Sequence, residues 1–241
     1  MDTIKFEKWQ VRMVAHRGLS GIERENTCPA FIAAANRSYY GIETDVHVTQ
    51  DGQFVIMHDE TTGRVSNGEI DVHVEQSPFA AVANVVLPDR DGSRVRRDIR
   101  VPLLAEYISI CKKYGKRCVL EVKNTFPYDD LVRMVEEIRA LGYLEGVIFI
   151  SFSRENCINL RKLLPMAEIQ FLCGKVDEQV LELLCEHRLD LDIHFPALTR
   201  ELVDRLHVLG ITVNCWTCDD KVQGEMLAEM GVDMITSNIL E

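Results

Sequence analysis

The sequence lacks a long apolar run and an excess of positive charge. No stretch approaches the roughly 18 consecutive apolar residues of a membrane-spanning helix, and the N-terminal segment MDTIKFEKWQVRM has no apolar core of the signal-peptide kind. Acidic residues outnumber basic ones, 38 to 27, for a formal net charge of −11. These absences argue against an integral membrane protein, an exported protein and a basic surface for nucleic acid. We therefore expect a cytoplasmic protein without a nucleic-acid partner.

Two common cofactor motifs are also missing. No glycine-rich dinucleotide-binding fingerprint follows the first predicted strand. Among the eight cysteines, Cys215 and Cys218 have zinc or redox spacing but no second pair or suitable histidine beside them. The cysteines lie mainly within apolar strand and helix patterns. In a chain without an export signal, this predicts reduced, mostly buried thiols.

What the chain does contain is a regular alternation of strand and helix patterns. From residue 116 onwards, six predicted strands alternate with helices, and Gly142, Gly210 and Gly231 each separate a helix from the next strand. Two further strands near the N-terminus bring the count to eight. This alternation predicts an α/β fold with a parallel sheet, and eight units favour a closed (β/α)8 TIM barrel over an open doubly wound sheet.

The predicted barrel accounts for residues 1–241 as a single domain, a length typical of such barrels. Residues 60–100 interrupt the alternation, because turn signals there are separated only by short segments. We interpret this stretch as a small insertion after the second strand and its hairpin partner. It has no linker composition that would mark a second domain.

The segment GIETDVHVTQDGQFVIMHD at residues 41–59 predicts a β-hairpin, since Asp-Gly at 51–52 joins two alternating strands. A two-residue turn there would place His58 opposite Asp45. Directly opposed residues share a face, as do residues two apart, so Glu43, Asp45 and His58 are expected on one side. Two carboxylates and an imidazole suit metal binding or proton transfer better than a core.

Further candidates lie at the C-terminal ends of the predicted strands, where barrel active sites are built. The first three strands supply His16, Arg17, Glu43, Asp45, Glu121 and Lys123. The later strands supply Ser151, Gln170, Asp192, His194 and Trp216. So many charged groups are costly to bury together unless they hold a metal or a charged ligand.

The type of ligand discriminates among metals. Glu43, Asp45 and Glu121 are all carboxylates, which suit Mg²⁺ or Ca²⁺. Zinc is the less favoured alternative, since it would be expected to recruit histidine or cysteine, such as His16 and His58.

Other polar residues at the strand ends have more than one interpretation. His16 and His58, if free of metal, suit general acid and base work near neutral pH. Arg17 and Lys123 would complement an oxyanion such as a phosphate, although Lys123 could also be a surface strand end. Asp192 and His194 are equally typical of caps on the following helix, and Trp216 of packing.

Eight short motifs together resemble the glycerophosphodiester phosphodiesterase family. They are HRG at 16–18, ENT at 25–27, IETDV at 42–46, VIMHD at 55–59, LEVK at 120–123, ISF at 150–152, VNCWT at 213–217 and GVDMITS at 231–237. They follow the family's order over nearly the whole chain. The resemblance implies a (β/α)8 barrel with a small insertion after the HD motif, which agrees with the pattern of strands.

The resemblance also implies a reaction in lipid and glycerol metabolism, the hydrolysis of a glycerophosphodiester to sn-glycerol 3-phosphate and an alcohol. The nucleophile is either water or the glycerol 2-hydroxyl. By the same resemblance, the divalent-metal ligands are Glu43, Asp45 and Glu121, the acid/base pair is His16 and His58, the phosphate is bound by Arg17 and Lys123, and the alcohol side of the pocket is lined by Trp216.

Two alternatives remain open at this stage. A related phospholipase-type barrel acting on lysophospholipids would need a hydrophobic lip, for which the apolar run Ala80–Leu87 is the candidate. A catalytically inactive binding protein on the same barrel would have lost a histidine or a carboxylate, and all five residues are present.

The end of the sequence departs from the family pattern. The family commonly has Thr-Asp-X-Pro and a full helix after the last strand, whereas here Thr236-Ser237-Asn238 is followed by the last residue at Glu241. We therefore expect the closing helix of the barrel to be missing. The resulting apolar groove would be covered by residues 1–10 or by a partner subunit of a homo-oligomer.

Overall fold

A computed structural model of the chain describes residues 2–241, so residue 1 of the predicted domain lies outside the described residues. The described residues form nine strands: β1 (Arg12–Ala15), β2 (Gly41–Val48), β3 (Phe54–Ile56), β4 (Arg117–Val122), β5 (Val147–Ser151), β6 (Glu168–Cys173), β7 (Asp190–His194), β8 (Val213–Trp216) and β9 (Met234–Ser237). The same residues form eight α-helices: α1 (Cys28–Ala35), α2 (Phe79–Ala83), α3 (Leu104–Tyr114), α4 (Tyr128–Ala140), α5 (Arg154–Leu163), α6 (Glu178–His187), α7 (Arg200–Val208) and α8 (Lys221–Met230). Within residues 2–241, no helix combines the length and apolarity needed to cross a membrane.

Eight of the strands form a closed parallel barrel. The order around the barrel is β1, β2, β4, β5, β6, β7, β8 and β9, and β1 pairs with both β2 and β9. Because each strand is connected to the next by a segment that contains a helix, the helices cover the outside of the barrel. The predicted (β/α)8 fold is confirmed.

Alternation along the strands produces two apolar layers. Inside the barrel lies a small cluster of Val14, Val119, Ile148, Ile150, Leu172 and Met234. The large core lies between the strands and the surrounding helices. Several helices begin at a side-chain cap, in which a Ser, Thr or Asp oxygen accepts a backbone N–H of the first turn; these caps are Thr27, Ser153, Asp177, Thr199 and Asp220.

The hairpin of β2 and β3 forms, but its predicted register is wrong by one residue. His47 pairs with Val55 and Val48 with Phe54, so the loop has three residues rather than two. Its last residue, Gly52, has φ +79° and closes a turn by donating its N–H to Thr49 O at 2.8 Å. This is the type I turn with a left-handed glycine that is common in three-residue hairpin loops.

The shifted register places Met57 opposite Asp45, where His58 was expected, and the N–H of Met57 donates to Asp45 O at 3.0 Å. A shift of one residue in a continuous strand would turn His58 to the opposite face. Strand β3 ends at Ile56, however, and the following backbone turns away from it. The position of His58 is therefore set by this loop and not by strand alternation.

The predicted insertion at residues 60–100 lies between the hairpin and α3 and contains only one short helix, α2. It has a hydrophobic cluster of its own. In the run Ala80–Leu87, Val82, Val85 and Leu87 are buried in that cluster, whereas Ala80, Ala83, Asn84 and Val86 are exposed. Three of the four larger apolar side chains of the run thus belong to the core of the insertion rather than to a lip over the barrel.

The closing helix is absent from the described residues, as expected, since β9 is followed by a short non-helical stretch, residues 238–241. The N-terminal segment covers this region. Ile4 donates its N–H to Ile239 O at 3.0 Å, Glu241 donates to Ile4 O at 2.9 Å, and Phe6 packs against the core. Of the two predicted covers, residues 2–10 are the one seen, and an oligomer stays a prediction.

Candidate active site

The three predicted carboxylates converge at the C-terminal end of the barrel. Glu43 and Asp45 lie two residues apart on β2 and therefore share a face, and Glu121 on β4 pairs with Asp45 in register. One oxygen from each carboxylate lies within 4.8 Å of one from each of the others. The three residues are 3%, 1% and 8% exposed, so their charges have little access to water.

Two cations partly compensate this buried negative charge. Lys123 Nζ lies 2.8 Å from Glu121 Oε1 and 3.5 Å from Asp45 Oδ1. Arg17 donates its backbone N–H to Glu43 Oε2 at 2.7 Å, and its Nε lies 3.8 Å from Asp45 Oδ2. Three carboxylates against two cations leave an excess of negative charge in a buried site.

This excess shifts the protonation of the carboxyl groups. Burial and the charge of Asp45 raise the pKa of Glu121 to about 7, although Lys123 opposes the change. Burial and Asp45 also raise the pKa of Glu43 well above its ordinary value. The pKa of Asp45 is lowered, because Lys123, His58 and Arg17 outweigh the effect of its burial. Asp45 is therefore the most firmly ionised of the three.

The cluster fits a divalent cation. Its donors are all carboxylate oxygens, the ligands that Mg²⁺ and Ca²⁺ prefer. Asp45 Oδ1 is buried and makes no hydrogen bond to any described residue, which leaves a charged oxygen free to coordinate an ion. The +2 charge of such an ion would also offset the repulsion among the carboxylates that raises the pKa values of Glu43 and Glu121.

His16 lies just beyond the end of β1, in contact with the segment after β9. Its Nδ1 is 2.8 Å from Asn238 Oδ1, and Asn238 donates through Nδ2 to Asp219 Oδ2 at 2.6 Å. Because the amide nitrogen of Asn238 faces a carboxylate, its oxygen is the acceptor, so His16 Nδ1 carries a hydrogen and Nε2 has a free lone pair. Burial, together with Arg17, lowers the pKa of His16 to about 4.

His58 belongs to a network of charged side chains. Its Nδ1 lies 2.6 Å from Asp59 Oδ1, and Arg64 Nε lies 2.6 Å from Asp59 Oδ2. Arg64 also contacts Glu25, with Nη2 2.7 Å from Oε1, and the same oxygen accepts from Arg17 Nη1 at 2.9 Å. The network thus connects the insertion, through Arg64, to the two sides of the site. Burial lowers the pKa of His58, and the charges of Lys123 and Arg17 lower it further. Asp45 and Asp59 raise it, but by less.

His16, His58, Glu43 and Glu121 line one cavity of about 130 Å³, which Asp45 does not line. One side is polar and is lined by His16, Arg17, Glu43, His58 and Glu121. The other is mainly apolar and is lined by Ile150, Phe152, Leu172 and Trp216, with Asp192 among them. The rings of Trp216 and Phe152 meet edge to face, with centroids 5.7 Å apart.

Lys123 faces an adjoining open hollow, which it lines together with Glu121 and Phe152. The predicted site residues are therefore gathered in one place, with Lys123 at its border.

Of the later strand-end candidates, Asp192 and Trp216 line the cavity. Ser151 and Gln170 are buried and bonded within the barrel, through Ser151 Oγ to Val122 O at 2.8 Å and Gln170 Oε1 to Asn214 Nδ2 at 3.1 Å. The interpretation of Asp192 and His194 as side-chain caps is wrong. His194 precedes a short 3-10 helix, Phe195–Ala197, without a capping bond from its side chain, and the cap of α7 is Thr199, whose Oγ1 accepts from Leu202 N.

Several residues of the site were not predicted as such. Asn26, with φ +54°, donates through Nδ2 to Asp45 Oδ2 at 2.8 Å, and its Oδ1 accepts from Thr44 Oγ1. Glu25, Asp59, Arg64 and Asn238 support the cations and histidines as described above. Asn238 follows β9 directly and could have been chosen by the same strand-end criterion as the other candidates. The remaining residues lie in loops, where no periodic pattern of apolar residues marks them.

A family model and two curated relatives, all of glycerophosphodiester phosphodiesterases, match nearly the whole chain. Residues 16–241 match the model of the family described as the glycerophosphoryl diester phosphodiesterase family. A glycerophosphodiester phosphodiesterase of Caldanaerobacter subterraneus subsp. tengcongensis is 29% identical over 230 residues, which cover 94% of this chain and 93% of that protein. One from Bacillus altitudinis is 26% identical over 232 residues, covering 93% of each.

Solved structures share the fold. A glycerophosphodiester phosphodiesterase from Parabacteroides distasonis superimposes with a TM-score of 0.79 at 27% identity, over 96% of this chain and 94% of that one. An Oleispira antarctica phosphodiesterase, determined in complex with the product sn-glycerol-3-phosphate, has a TM-score of 0.80 at 23% identity, over 98% and 96% of the two chains.

Proposed function

The chain belongs to the glycerophosphoryl diester phosphodiesterase family, and we propose that it hydrolyses glycerophosphodiesters to sn-glycerol 3-phosphate and an alcohol. The observation that carries this proposal is the cluster of three buried carboxylates, Glu43, Asp45 and Glu121, next to a cavity that Glu43 and Glu121 line together with both histidines. A phosphodiester needs charge stabilisation at phosphorus, a base for the nucleophile and an acid for the leaving group. The cavity offers groups for all three.

Glu43, Asp45 and Glu121 would hold a divalent cation, Mg²⁺ or Ca²⁺. When bound, such an ion supplies Lewis-acid stabilisation of the negative charge on a phosphate oxygen. Arg17 would bind the phosphate from the cavity side, and Lys123 from the adjoining hollow. Both cations are oriented by the carboxylates they contact, which fixes their position before the substrate arrives.

The hydrogen bonds of the histidines support different roles. His16 has a hydrogen on Nδ1, held by Asn238, and a lone pair on Nε2. It would take the proton of the attacking hydroxyl, either of water or of the glycerol 2-hydroxyl. The Nδ1 of His58 faces the carboxylate of Asp59, which would stabilise an imidazolium at this position and opposes the lowering of the His58 pKa by burial, Lys123 and Arg17. It would give its proton to the departing alkoxide as the phosphorus–oxygen bond breaks.

The lysophospholipid alternative gains no support from the insertion. A lip for an acyl chain would have to be apolar and exposed. Val82, Val85 and Leu87 are instead buried within the insertion. We therefore favour a substrate with a small, polar glycerol end.

A coupled assay for sn-glycerol 3-phosphate release from glycerophosphocholine and glycerophosphoethanolamine tests the proposal. We expect release in the presence of Mg²⁺ or Ca²⁺ and its loss in EDTA. His16→Ala and His58→Ala should each lower kcat by about 10²- to 10⁴-fold, the usual contribution of a general acid or base. His187→Ala, at the end of α6 on the outside of the barrel, serves as the matched control. Metal-independent release, or full activity of either cavity variant, would refute this mechanism.

A further inference from the structure

Asp192 is a buried carboxyl group on the side of the cavity that is lined mainly by apolar side chains. It is 2% exposed, and its Oδ1 makes no hydrogen bond to any residue in the described part of the chain. Trp216, on the neighbouring strand, also lines the cavity, and its Nε1 is likewise buried without a partner. The neighbouring barrel residues are satisfied, since Asn214 binds both Gln170 and Thr236.

Two unpartnered polar atoms in one cavity indicate a missing ligand. A buried donor or acceptor without a partner loses its bonds to water and gains nothing in exchange. A ligand that bonds both atoms would remove this cost on binding. The cavity volume of about 130 Å³ is well below the ~300–1,000 Å³ of drug-sized sites, so the ligand group is small.

The chemistry of the two atoms selects the kind of group. The carboxyl oxygens of Asp192 accept hydrogen bonds whether or not the group is protonated. Trp216 Nε1 is a donor only. A hydroxyl group can accept from Trp216 and exchange a hydrogen bond with Asp192. A quaternary ammonium group has no acceptor and would leave Trp216 Nε1 unpartnered.

We propose that Asp192 is a specificity-determining residue that hydrogen bonds a free hydroxyl of the substrate's glycerol end, next to Trp216 Nε1. This places the glycerol end, rather than the departing alcohol expected from the family resemblance, beside Trp216. This inference rests on the proposed function and narrows it to phosphodiesters whose cavity-bound end has a free hydroxyl. A glycerol acylated at that hydroxyl would lose the hydrogen bond and would have to fit an acyl group into the small cavity. Asp192 takes no part in proton transfer to the reacting phosphate.

The test compares Asp192→Leu, Asp192→Asn and Asp190→Asn on two substrates. Glycerophosphocholine has glycerol hydroxyls, and bis(4-nitrophenyl) phosphate has none. Asp192→Leu should lower kcat/KM for glycerophosphocholine by about 100-fold, because sites built for a hydroxyl discriminate strongly once the hydrogen bond is lost. Its kcat/KM for bis(4-nitrophenyl) phosphate should change less than about 3-fold, and Asp192→Asn should recover most of the lost selectivity.

Asp190→Asn is the matched control, since Asp190 shares strand and face with Asp192 but lies at the other end of the strand, where its Oδ1 accepts from Thr212 N. Asp190→Asn should leave kcat/KM unchanged for both substrates. An equal loss on both substrates in Asp192→Leu, or no loss on either, overturns the proposal. So does a loss seen with glycerophosphocholine but not with glycerophosphoethanolamine, because the residue would then recognise the quaternary ammonium group.

Binding measurements separate this inference from the proposed function. By calorimetry, sn-glycerol 3-phosphate should bind the wild-type protein more tightly than inorganic phosphate, and Asp192→Leu should abolish the difference. If the wild-type protein hydrolyses neither substrate, the proposed function fails, whereas the calorimetric comparison still decides the role of Asp192. Equal affinities of the wild-type protein for the two ligands overturn it.

Discussion

The buried carboxylate cluster predicts a large change in thermal stability on metal binding. A ligand that binds only the folded protein stabilises it by about 2.7 kcal/mol at a concentration 100 times its Kd. For a chain of 241 residues, each kcal/mol raises Tm by roughly 2–4 °C. Saturating Mg²⁺ or Ca²⁺ should therefore raise Tm by about 5–11 °C relative to EDTA, measured by circular dichroism at 222 nm, the standard wavelength for helix.

Glu43→Gln is the informative variant for this prediction. Glu43 is already driven towards its neutral form, and glutamine keeps an oxygen that accepts the Arg17 N–H now bonded to Glu43. The Tm of the metal-free protein should thus change by no more than about 2 °C. The metal-induced rise should largely disappear, because affinity for hard cations depends on the number of charged ligands.

Two outcomes would refute the reasoning. An equal metal-induced rise in Tm in the wild-type protein and in Glu43→Gln would show that the ion binds elsewhere. No rise in the Tm of the wild-type protein would show that the cluster binds no metal. Asp190→Asn is the control for a half-buried carboxyl outside the cluster, and it should retain the full rise. Because the readout is unfolding, the prediction holds whatever substrate the protein acts on.

Three further predictions concern His58, Gly18 and Glu241. His58→Gln should lower kcat by at least about 100-fold while the metal-induced rise in Tm persists, whereas loss of that rise would make His58 a metal ligand. Gly18→Ala should lower Tm by at least about 6 °C, since Gly18 has φ +75° and a Cβ there would lie 2.7 Å from Ala30 backbone carbon; an unchanged Tm would contradict this. Burial alone would raise the pKa of Glu241, but the groups that hydrogen bond it hold that pKa at about 2, below its unfolded value. Its contribution of roughly 2 kcal/mol should be complete above pH 5 and lost as the pH falls towards 2, so Glu241→Gln should flatten acid unfolding curves over this range.

The barrel was predictable because its signals are periodic. Strand and helix patterns alternate over most of the chain, and a parallel barrel gathers the ends of its strands at one face. This rule alone brought Glu43, Asp45, Glu121 and His16 together. No comparable period exists in the insertion, so neither its small core nor the contact of Arg64 with the site could be read from the sequence.

The hairpin shows that residues can be predicted to lie close together from a wrong register. Asp-Gly is compatible with both a two-residue and a three-residue loop, and the choice depends on whether Gln50 joins the loop. The strand after the loop is only three residues long, so few cross-strand pairs fix the register. His58 still lines the cavity because β3 ends at Ile56, so strand alternation does not decide the direction of its side chain.

Asp192 illustrates the part of a site that sequence cannot supply. Its place at the end of a strand made it a candidate, but a helix cap was an equally good explanation of the same position. The two differ in whether the carboxyl oxygen has a partner, and that depends on the packing of β7 against β8 and on the cavity they border. The proposed specificity for a hydroxyl depends on Asp192 Oδ1 having no hydrogen-bond partner among the described residues. This can be recognised only from a structure that places all the neighbours of Asp192.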